Sequence, residues 1–298
     1  MRSSYLFRIT GIALFIYFLH KVNIRSVFAT IGNTDILLLI IAVMISYASV
    51  FIRAQRFRLT VKNFYPEYDI SLLRCYMIYY AGLFSGSLTP SRTGELVKIR
   101  YIDSVKKTQG IYIVIMDRLF DIFGIALCGL AALYYINYRF VFDNRQVLIL
   151  FSLLIVLFFL FFFFIFPYFR KRIDIDILRK YLFADNLFQI ISLTLCGFAV
   201  YFLWYFVLSR AGGIDIPYIT LFFIQSIVIV VNLLPVTIMG MGTREAVYLY
   251  FMKDYGYNKS SILGFGMLIL FFYILNIITG FICFQILEHN RKRELEEL

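Results

Sequence analysis

The sequence predicts an all-α polytopic membrane protein, with about six full transmembrane helices and two re-entrant segments among eight hydrophobic segments. The first observation is composition, because 61% of the residues are apolar, 19% are aromatic and the mean hydropathy is +0.82. The second is that several apolar stretches exceed the roughly 18 residues expected of a spanning helix. The third is a pair of apolar segments interrupted by Gly, Pro and charged residues. Hydrocarbon tolerates such backbone only where protein or water surrounds it.

Continuous apolar stretches predict the membrane crossings. A short stretch near the start, Ile9–Leu19, is interpreted as a retained first helix, because no small-residue cleavage site of a signal peptide follows it. The other predicted crossings are Ile36–Ile52, Ile111–Ile136, Val147–Phe166, Leu187–Leu208 and Ile262–Leu287. The polar intervals between them are about the size of loops or surface helices. We therefore expect one integral membrane domain over 1–298 and no soluble catalytic domain.

The two interrupted segments lie at corresponding places in the two halves of the chain, roughly 1–140 and 141–298. They are Leu83–Arg100, with the sequence LFSGSLTPSRTGELVKIR, and Asn232–Glu245, with the sequence NLLPVTIMGMGTRE. Three crossings in each half give the halves opposite orientations. Inverted repeats of this kind place a substrate site at the repeat interface and suit alternating access.

The distribution of basic residues predicts the orientation. The net charge is +11, from 29 Lys and Arg against 18 Asp and Glu. Eight full crossings leave no charge bias between the two sides, whereas two re-entrant segments concentrate Lys and Arg on one side. The positive-inside rule favours the second arrangement, in a multi-pass protein of the cell membrane with both termini cytoplasmic. Nucleic acid is not an expected partner, because the basic residues are scattered through short loops.

The first interrupted segment contains two candidate substrate-binding residues. Arg92 offers a planar guanidinium suited to phosphate or carboxylate. Glu95 needs a positive partner in a dry site, and we expect Arg92, Arg74 or a cationic substrate group to provide it. The alternative is a structural ion pair that holds the turn.

The second interrupted segment adds the candidates Asn232, Arg244 and Glu245. Because adjacent side chains diverge on a helix, we expect Arg244 and Glu245 to have different partners, one of them across the repeat interface. The alternative is that glycines in this segment relieve helix crowding.

A third set of charges lies in a predicted crossing. Asp117 and Asp121 share a helix face, and Arg118 lies three residues before Asp121. We expect them to face the protein interior as a supporting ion network with Arg74 or Arg92. A structural role and direct handling of substrate or protons both remain open.

Arg53 and Arg56 follow the second helix and are expected at lipid headgroups or at the inner mouth of a cavity, with snorkelling as the default. No catalytic residue, metal site or cofactor is expected. The four cysteines are far apart in apolar segments, the two histidines lie at segment ends, and no P-loop is present. Asp174 and Asp176 form an Asp-x-Asp, but on a helix these side chains point apart.

The order of four motifs resembles the flippase-like family that includes the membrane region of lysylphosphatidylglycerol synthase and AglD-like proteins. The motifs are Arg53-x-x-Arg56, Gly-x-Leu-Thr-Pro-x-Arg-x-Gly-Glu over Gly86–Glu95, Asp117-Arg118-x-x-Asp121, and Leu-Pro…Gly-x-Gly-x-x-Glu over Leu234–Glu245. The resemblance implies a membrane protein that moves a lipid or lipid-linked headgroup between leaflets. Its bifunctional relatives carry a soluble domain that transfers an aminoacyl group to phosphatidylglycerol. Because the sequence stops at Leu298, we do not expect that catalysis here.

Three functions follow as hypotheses. The first is a lipid flippase, driven downhill or by ions, whose headgroup site uses Arg92, Glu95, Arg244 and Glu245. The second is a transferase in aminoacyl-phospholipid or lipid-linked glycan synthesis. The third is an accessory partner of a separate synthase or glycosyltransferase. A membrane lipid or lipid-linked substrate is the expected partner in each case.

Overall fold

The computed structural model describes residues 32, 34–68, 70–102, 107–139, 186–232 and 240–296, and these ranges contain helices and loops but no strand. The helices are α1 (Ile36–Phe64), α2 (Leu72–Leu88), α3 (Lys107–Arg139), α4 (Leu187–Ala211), α5 (Tyr218–Val231), α6 (Thr243–Met252) and α7 (Lys259–Glu296). A 3-10 segment, Pro90–Tyr101, follows α2, and a short 3-10 turn, Lys253–Tyr255, follows α6. The predicted crossings Ile9–Leu19 and Val147–Phe166, and the pair Asp174 and Asp176, lie outside the described residues.

Three described helices are long and apolar enough to cross a membrane. They are Ile36–Phe64, Leu187–Ala211 and Lys259–Glu294. Together with the helical content, they confirm the class of an all-α membrane protein. The number of crossings and the re-entrant arrangement remain predictions.

Local sequence determines where α1 and α2 begin. The Asp35 carboxylate accepts a hydrogen bond from the Leu38 amide, and the Ser71 hydroxyl accepts one from the Arg74 amide. Such N-caps satisfy amides that have no partner within the helix. Along α1, large apolar side chains such as Met44 are exposed, whereas Ala42, Ser46 and Ser49 are buried. Small residues on the inner face let neighbouring helices approach closely.

Helices α1 and α4 run antiparallel and pack extensively on each other. The Asp35 amide donates to the Ala211 carbonyl at 3.1 Å, and the Asn186 side-chain amide donates to Asn63 Oδ1 at 3.2 Å. These contacts define two ends of the bundle. End A contains the C-terminus of α1 and the N-terminus of α4, and end B contains the opposite termini.

The first interrupted segment folds into a helical hairpin, formed by α2 and the 3-10 segment. Gly82 faces Lys98, and Gly94 lies against Ser85, so the two arms run antiparallel. A Cβ at Gly94 would lie 2.1 Å from the Ser85 carbonyl oxygen, and the missing side chain therefore permits this close approach. This hairpin opens at end A, where the Arg58 guanidinium donates to the Ile70 carbonyl at 2.8 Å.

The second interrupted segment also forms a hairpin, from α5 and α6. The Tyr248 hydroxyl donates to Gln225 Oε1 at 2.6 Å, and the Tyr255 hydroxyl donates to Thr220 Oγ1 at 3.4 Å. These pairings run antiparallel and place the open end of the hairpin beside the C-terminus of α4. It therefore opens at end B, opposite to the first hairpin.

The ends of α7 agree with this arrangement. At end A, the Tyr101 hydroxyl donates to Glu288 Oε1 at 2.7 Å. Burial, together with this hydrogen bond, raises the pKa of Tyr101, so the phenol remains a neutral donor at physiological pH. At end B, the Asp215 amide donates to the Tyr257 hydroxyl at 2.5 Å.

Each hairpin packs on a long helix from the other half of the chain. Helix α2 contacts α7, and α5 contacts α3, while α1 and α4 pack between the halves. The other arm of each hairpin contacts the long helix of its own half. The 3-10 segment contacts α3, and α6 contacts α7. This pattern is the one expected of two equivalent halves. The inverted repeat itself stays a prediction.

Candidate functional site

Six charged side chains in the end A half form a closed ring in which positive and negative charges alternate. We call it the charge ring. Its members, in order around the ring, are Arg56, Asp117, Lys98, Glu95, Arg118 and Asp121. They come from α1, the 3-10 segment and α3, so the ring joins the first hairpin to two long helices.

Arg56 bridges two carboxylates of α3. Its Nη2 lies 2.8 Å from Asp117 Oδ1 and 2.7 Å from Asp121 Oδ1. The same guanidinium donates to the Asp117 carbonyl at 3.2 Å and to Thr194 Oγ1 at 3.4 Å. Its side chain is only 2% exposed. Arg56 therefore ties α1 to both α3 and α4.

Lys98 bridges the two buried carboxylates on the other side of the ring. Its Nζ lies 3.0 Å from Glu95 Oε2 and 3.6 Å from Asp117 Oδ2. The ammonium also lies 4.0 Å from the ring centroid of Tyr79 and 5.0 Å from that of Phe57. Aromatic faces stabilise a buried cation, and they partly replace the water that Lys98 has lost.

Arg118 closes the ring and provides its most accessible edge. It forms ion pairs with Glu95 and with Asp121, the latter at 3.2 Å between Nη1 and Oδ2. Its side chain is 27% exposed, whereas the Glu95 side chain is 2% exposed. With three cations and three anions, the ring is neutral. Removing one member of a buried pair typically costs about 3–5 kcal/mol, because the remaining charge is left uncompensated.

The ring corrects two predictions for the first half of the chain. Arg56 does not snorkel to headgroups, because the carboxylates of α3 bind it inside the bundle. Arg74 does not join the network of Asp117. It lies in the first turn of α2, beside Glu294 at end A, with 4.0 Å between Nη1 and Oε1. This position is roughly 18 Å along the helix from Gly86, which contacts Glu95.

Lys98 is a ring member that sequence reasoning missed. Its signal was its position three residues after Glu95, a spacing that brings side chains together on a helical segment. The side chain of Arg92 lies outside the described residues. Arg53 lies about one turn before Arg56 on α1, and its guanidinium lies over the Tyr201 ring at 5.3 Å.

A second buried cluster lies at the tip of the second hairpin. Arg244 and Glu245 pair with each other, at 2.9 Å from Nε to Oε1. Arg244 Nη2 also donates to the Gly266 carbonyl of α7 at 2.9 Å, and both charged residues are fully buried. We call Asn232, Gly242, Arg244 and Glu245 the tip cluster.

Arg244 and Glu245 are adjacent in the sequence and nevertheless pair with each other in the tip cluster. The expectation that they have different partners is therefore wrong. Gly242 adopts φ 85°, a left-handed conformation that favours glycine, and begins α6. Its amide donates to Glu245 Oε2 at 2.6 Å. Glu245 therefore turns back to cap its own helix, which brings its second oxygen to the Arg244 guanidinium.

Asn232 joins the two arms of the second hairpin. It ends α5, and its Oδ1 accepts a hydrogen bond from the Thr243 hydroxyl at 3.3 Å. Asn232 also lies against Gly240, whose φ is 73°. The structure thus brings Asn232, Arg244 and Glu245 together and places Glu95 in the separate charge ring.

Three tyrosine hydroxyls lie between the two clusters, and sequence reasoning missed them. The hydroxyls of Tyr201 and Tyr205 are 3.1 Å apart, and those of Tyr205 and Tyr273 are 2.8 Å apart. Arg53 lies over the Tyr201 ring at 5.3 Å, and Arg244 lies over the Tyr273 ring at 5.7 Å. Among 23 tyrosines in the sequence, no spacing signal distinguishes these three, because they meet only after α4 and α7 pack.

The arrangement offers charges and hydrogen-bond donors for a polar ligand. Within the described ranges, no three His, Cys, Asp or Glu side chains are grouped as metal ligands. The clusters instead present buried guanidiniums, an ammonium, carboxylates and phenols. Such groups can bind the ionic headgroup of an amphipathic molecule while apolar surface remains toward lipid.

Comparisons with known proteins agree with the membrane architecture. A search of the curated proteins gave no match. The family model described as "Lysylphosphatidylglycerol synthase TM region" matches residues 5–280, which include both hairpins, the charge ring and the tip cluster. The chain therefore belongs to the lysylphosphatidylglycerol synthase TM region family of membrane proteins.

Proposed function

We propose that this protein is a flippase that translocates a lipid or a lipid-linked headgroup between the leaflets of the cell membrane. The headgroup crosses through the polar interior of the bundle, while the acyl or prenyl chains stay in the bilayer. The observation that carries the proposal is the pair of hairpins, which open at opposite ends and hold buried charges at or near their tips.

The depth of the charges supports a path through the bundle. At about 1.5 Å per residue, Arg56 lies roughly 12 Å along α1 from end A, and Gly266 lies roughly 10 Å along α7 from end B. Charged groups at such depths inside a membrane protein typically line substrate or ion pathways. The charge ring and the tip cluster are therefore suited to bind the headgroup at two positions on the two sides of one path. We call these two positions stations.

We assign residue roles on this basis. Asp117, Arg118 and Asp121 support the first station together with Lys98 and Arg56. Headgroup contacts come from Arg92, Glu95, Asn232, Arg244 and Glu245. Arg74 remains at end A, and Arg53 faces the space between the stations.

The closed charge ring must open to admit a headgroup. Its most accessible edge is the contact between Arg118 and Glu95, because Arg118 is partly exposed. A headgroup that carries charge can replace this ion pair without leaving a buried charge uncompensated. The ligand then favours the open state by its differential affinity for that state.

The proposed topology has six crossings and two re-entrant hairpins in inverted repeats, with end A and both termini at the cytoplasmic side. Opposed hairpins of this kind allow access to alternate between the two sides. Transport is driven downhill or by an ion gradient. A separate synthase or glycosyltransferase that supplies the lipid is a possible partner.

A leaflet-resolved assay tests the function. Purified protein is reconstituted in vesicles that contain fluorescently labelled phosphatidylglycerol, and a membrane-impermeant quencher reports the outer leaflet. We expect the parent protein to expose inner-leaflet label to the quencher, and the Arg92→Ala/Glu95→Ala variant to do so at least about tenfold more slowly, since each factor of ten corresponds to roughly 1.4 kcal/mol of barrier.

The matched control is Arg210→Ala/Asp215→Ala, which removes an exposed ion pair at end B. It should flip lipid at the parent rate. Equal rates for the parent and the Arg92→Ala/Glu95→Ala variant would contradict the proposed roles. Formation of labelled lipid by purified protein from phosphatidylglycerol and a labelled aminoacyl or sugar donor would instead favour a transferase.

A further inference from the structure

We propose that Arg53, Arg244 and the hydroxyls of Tyr201, Tyr205 and Tyr273 form a binding site for a phosphate group between the charge ring and the tip cluster. We call it the tyrosine site. The inference rests on the proposed function, because the phosphate belongs to the headgroup that passes between the two stations.

Charge balance points to an anion. The charge ring contains three cations and three anions, and Arg244 is paired with Glu245. Arg53 has no ion-pair or hydrogen-bond partner among the residues described, and its guanidinium lies over the face of Tyr201. Counted over the described residues, the bundle interior therefore contains one cation more than anions at the place where the tyrosines meet.

Two buried donors, on residues that contact the tyrosine rings, also lack an acceptor. Arg244 Nη1 and Trp204 Nε1 are buried and form no hydrogen bond with any described residue. Arg244 is fully buried and Trp204 is 4% exposed. An unsatisfied buried donor costs free energy, and a ligand that accepts its hydrogen bond removes that cost.

The geometry suits a compact, multidentate acceptor. The Tyr205 hydroxyl lies 3.1 Å from that of Tyr201 and 2.8 Å from that of Tyr273, so the three hydroxyls converge on one small volume. Arg53 lies over the Tyr201 ring at 5.3 Å, and Arg244 lies over the Tyr273 ring at 5.7 Å, so two guanidiniums adjoin the hydroxyls. A phosphate has several acceptor oxygens and one or two charges, and guanidinium groups bind it with strong charge-assisted hydrogen bonds.

The site is reachable because it is not closed on all sides. Tyr205 and Arg244 are buried, whereas Arg53, Tyr201 and Tyr273 are each partly exposed. Arg53, which is half-buried, lies over the Tyr201 ring and so adjoins the hydroxyl cluster. A headgroup phosphate that leaves the charge ring near Asp121 meets Arg53 next.

Trp204 provides a reporter at the site, because it is the only tryptophan in the protein. Its ring lies 4.6 Å from that of Tyr205 and 6.4 Å from that of Tyr201, between centroids. Intrinsic fluorescence of the full protein in detergent can therefore follow ligand binding without a label.

The experiment titrates the protein with dihexanoylphosphatidylglycerol, with inorganic phosphate and with dihexanoylglycerol, which lacks phosphate. We expect a saturable fluorescence change with the short-chain phospholipid and none with dihexanoylglycerol. Competition by inorganic phosphate would show that the site recognises the phosphate alone. A response to the phospholipid without such competition would assign the site to the lipid headgroup.

Conservative variants test the residues. Tyr205→Phe and Arg53→Gln should each raise the half-saturating concentration about tenfold or more, as expected when a hydrogen bond to a charged group is lost. Arg53→Lys should bind more tightly than Arg53→Gln, and Tyr218→Phe, at a partly exposed tyrosine away from the site, should bind like the parent.

An equal response to dihexanoylglycerol, or parent-like binding by both Tyr205→Phe and Arg53→Gln, would overturn the inference. The binding measurement is separate from flipping. Saturable phosphate binding without any flipping would defeat the proposed function but leave the tyrosine site intact, whereas flipping without such binding would defeat only the site.

Discussion

At the scale of single residues, Lys98 places a fully buried ammonium inside the charge ring. It compensates Glu95 and Asp117 at once and lies against the faces of Tyr79 and Phe57. An aromatic cage alone does not compensate a buried charge, and a buried carboxylate needs a positive partner. The stability of the first hairpin therefore depends on the neutrality of the whole ring rather than on any one ion pair.

The first prediction follows from this neutrality. Lys98→Met should destabilise the protein by roughly 3–5 kcal/mol, because it leaves two carboxylates without their shared cation. The double variant Glu95→Gln/Lys98→Met removes one charge of each sign and should be less destabilised than Lys98→Met alone. Thermal unfolding of the purified proteins in detergent measures both effects.

Lys62→Met provides the comparison, because Lys62 is an exposed lysine of α1. We expect its unfolding temperature to stay close to that of the parent. If Lys98→Met and the double variant unfolded at the same temperature, the coupling between Lys98 and Glu95 would be absent and the ring would not act as a unit.

At the scale of elements, the hairpins depend on glycines at points of close approach. The first hairpin closes because Gly94 lets the 3-10 segment reach the backbone of α2. The second begins its return arm at Gly242, whose positive φ would strain any other residue. Without these two positions, the arms could not place Glu95 and Glu245 in the interior.

Gly94→Ala should open or distort the first hairpin, because its Cβ would lie 2.1 Å from the Ser85 carbonyl oxygen. Overpacking of this kind typically costs about 1–3 kcal/mol. We expect a lower unfolding temperature and increased reaction of buried Cys75 of α2 with a thiol reagent.

Gly197→Ala is the matched control within a helix. The nearest atom to its added Cβ, in Ile52, would be 3.6 Å away, which is ordinary contact. Replacing glycine by alanine inside a helix stabilises it by up to about 1 kcal/mol. The hairpin argument fails if Gly94→Ala is as well tolerated as Gly197→Ala.

At the scale of the whole molecule, the two hairpins open at opposite ends, and each packs against a long helix from the other half of the chain. This arrangement places ionic clusters in both halves of the bundle and the tyrosine site between them. Because packed helices shift as units, a small movement of one half against the other can change which end is open.

Cysteine accessibility tests the proposed topology. Single cysteines replace Glu67, Arg100, Asp215 and Asp254 in a cysteine-free background, and an impermeant thiol reagent is applied from one side of the membrane. Re-entrant hairpins predict that Glu67→Cys and Arg100→Cys react from the cytoplasmic side. They also predict that Asp215→Cys and Asp254→Cys react together from the outside.

These positions discriminate between the two topologies. If each interrupted segment crossed the membrane once, Glu67→Cys and Arg100→Cys would react from opposite sides, and so would Asp215→Cys and Asp254→Cys. That outcome would exclude the opposed hairpins and with them the alternating path. Glu294→Cys should react with reagent applied from the same side as Glu67→Cys, because both residues lie at end A.

Much of the helical plan could be predicted from the sequence. The predicted stretch Ile36–Ile52 lies within α1, and Leu187–Leu208 lies within α4. The family was also recognised from its motifs. These predictions succeeded because apolar length and local motifs are properties of contiguous residues. The partners of the charged residues were predicted less well, since Arg74 was assigned to a network that instead contains Lys98 and Arg56.

The sequence by itself determined that the chain is a helical membrane protein and that two segments break their helices, because hydropathy, Pro and Gly act locally. Only the tertiary structure decided which charges compensate each other. Ion pairs depend on distances of a few ångströms between residues far apart in the chain. Arg56 and Asp117 therefore meet only when α1 and α3 pack, and the hydroxyls of Tyr205 and Tyr273 only when α4 and α7 do.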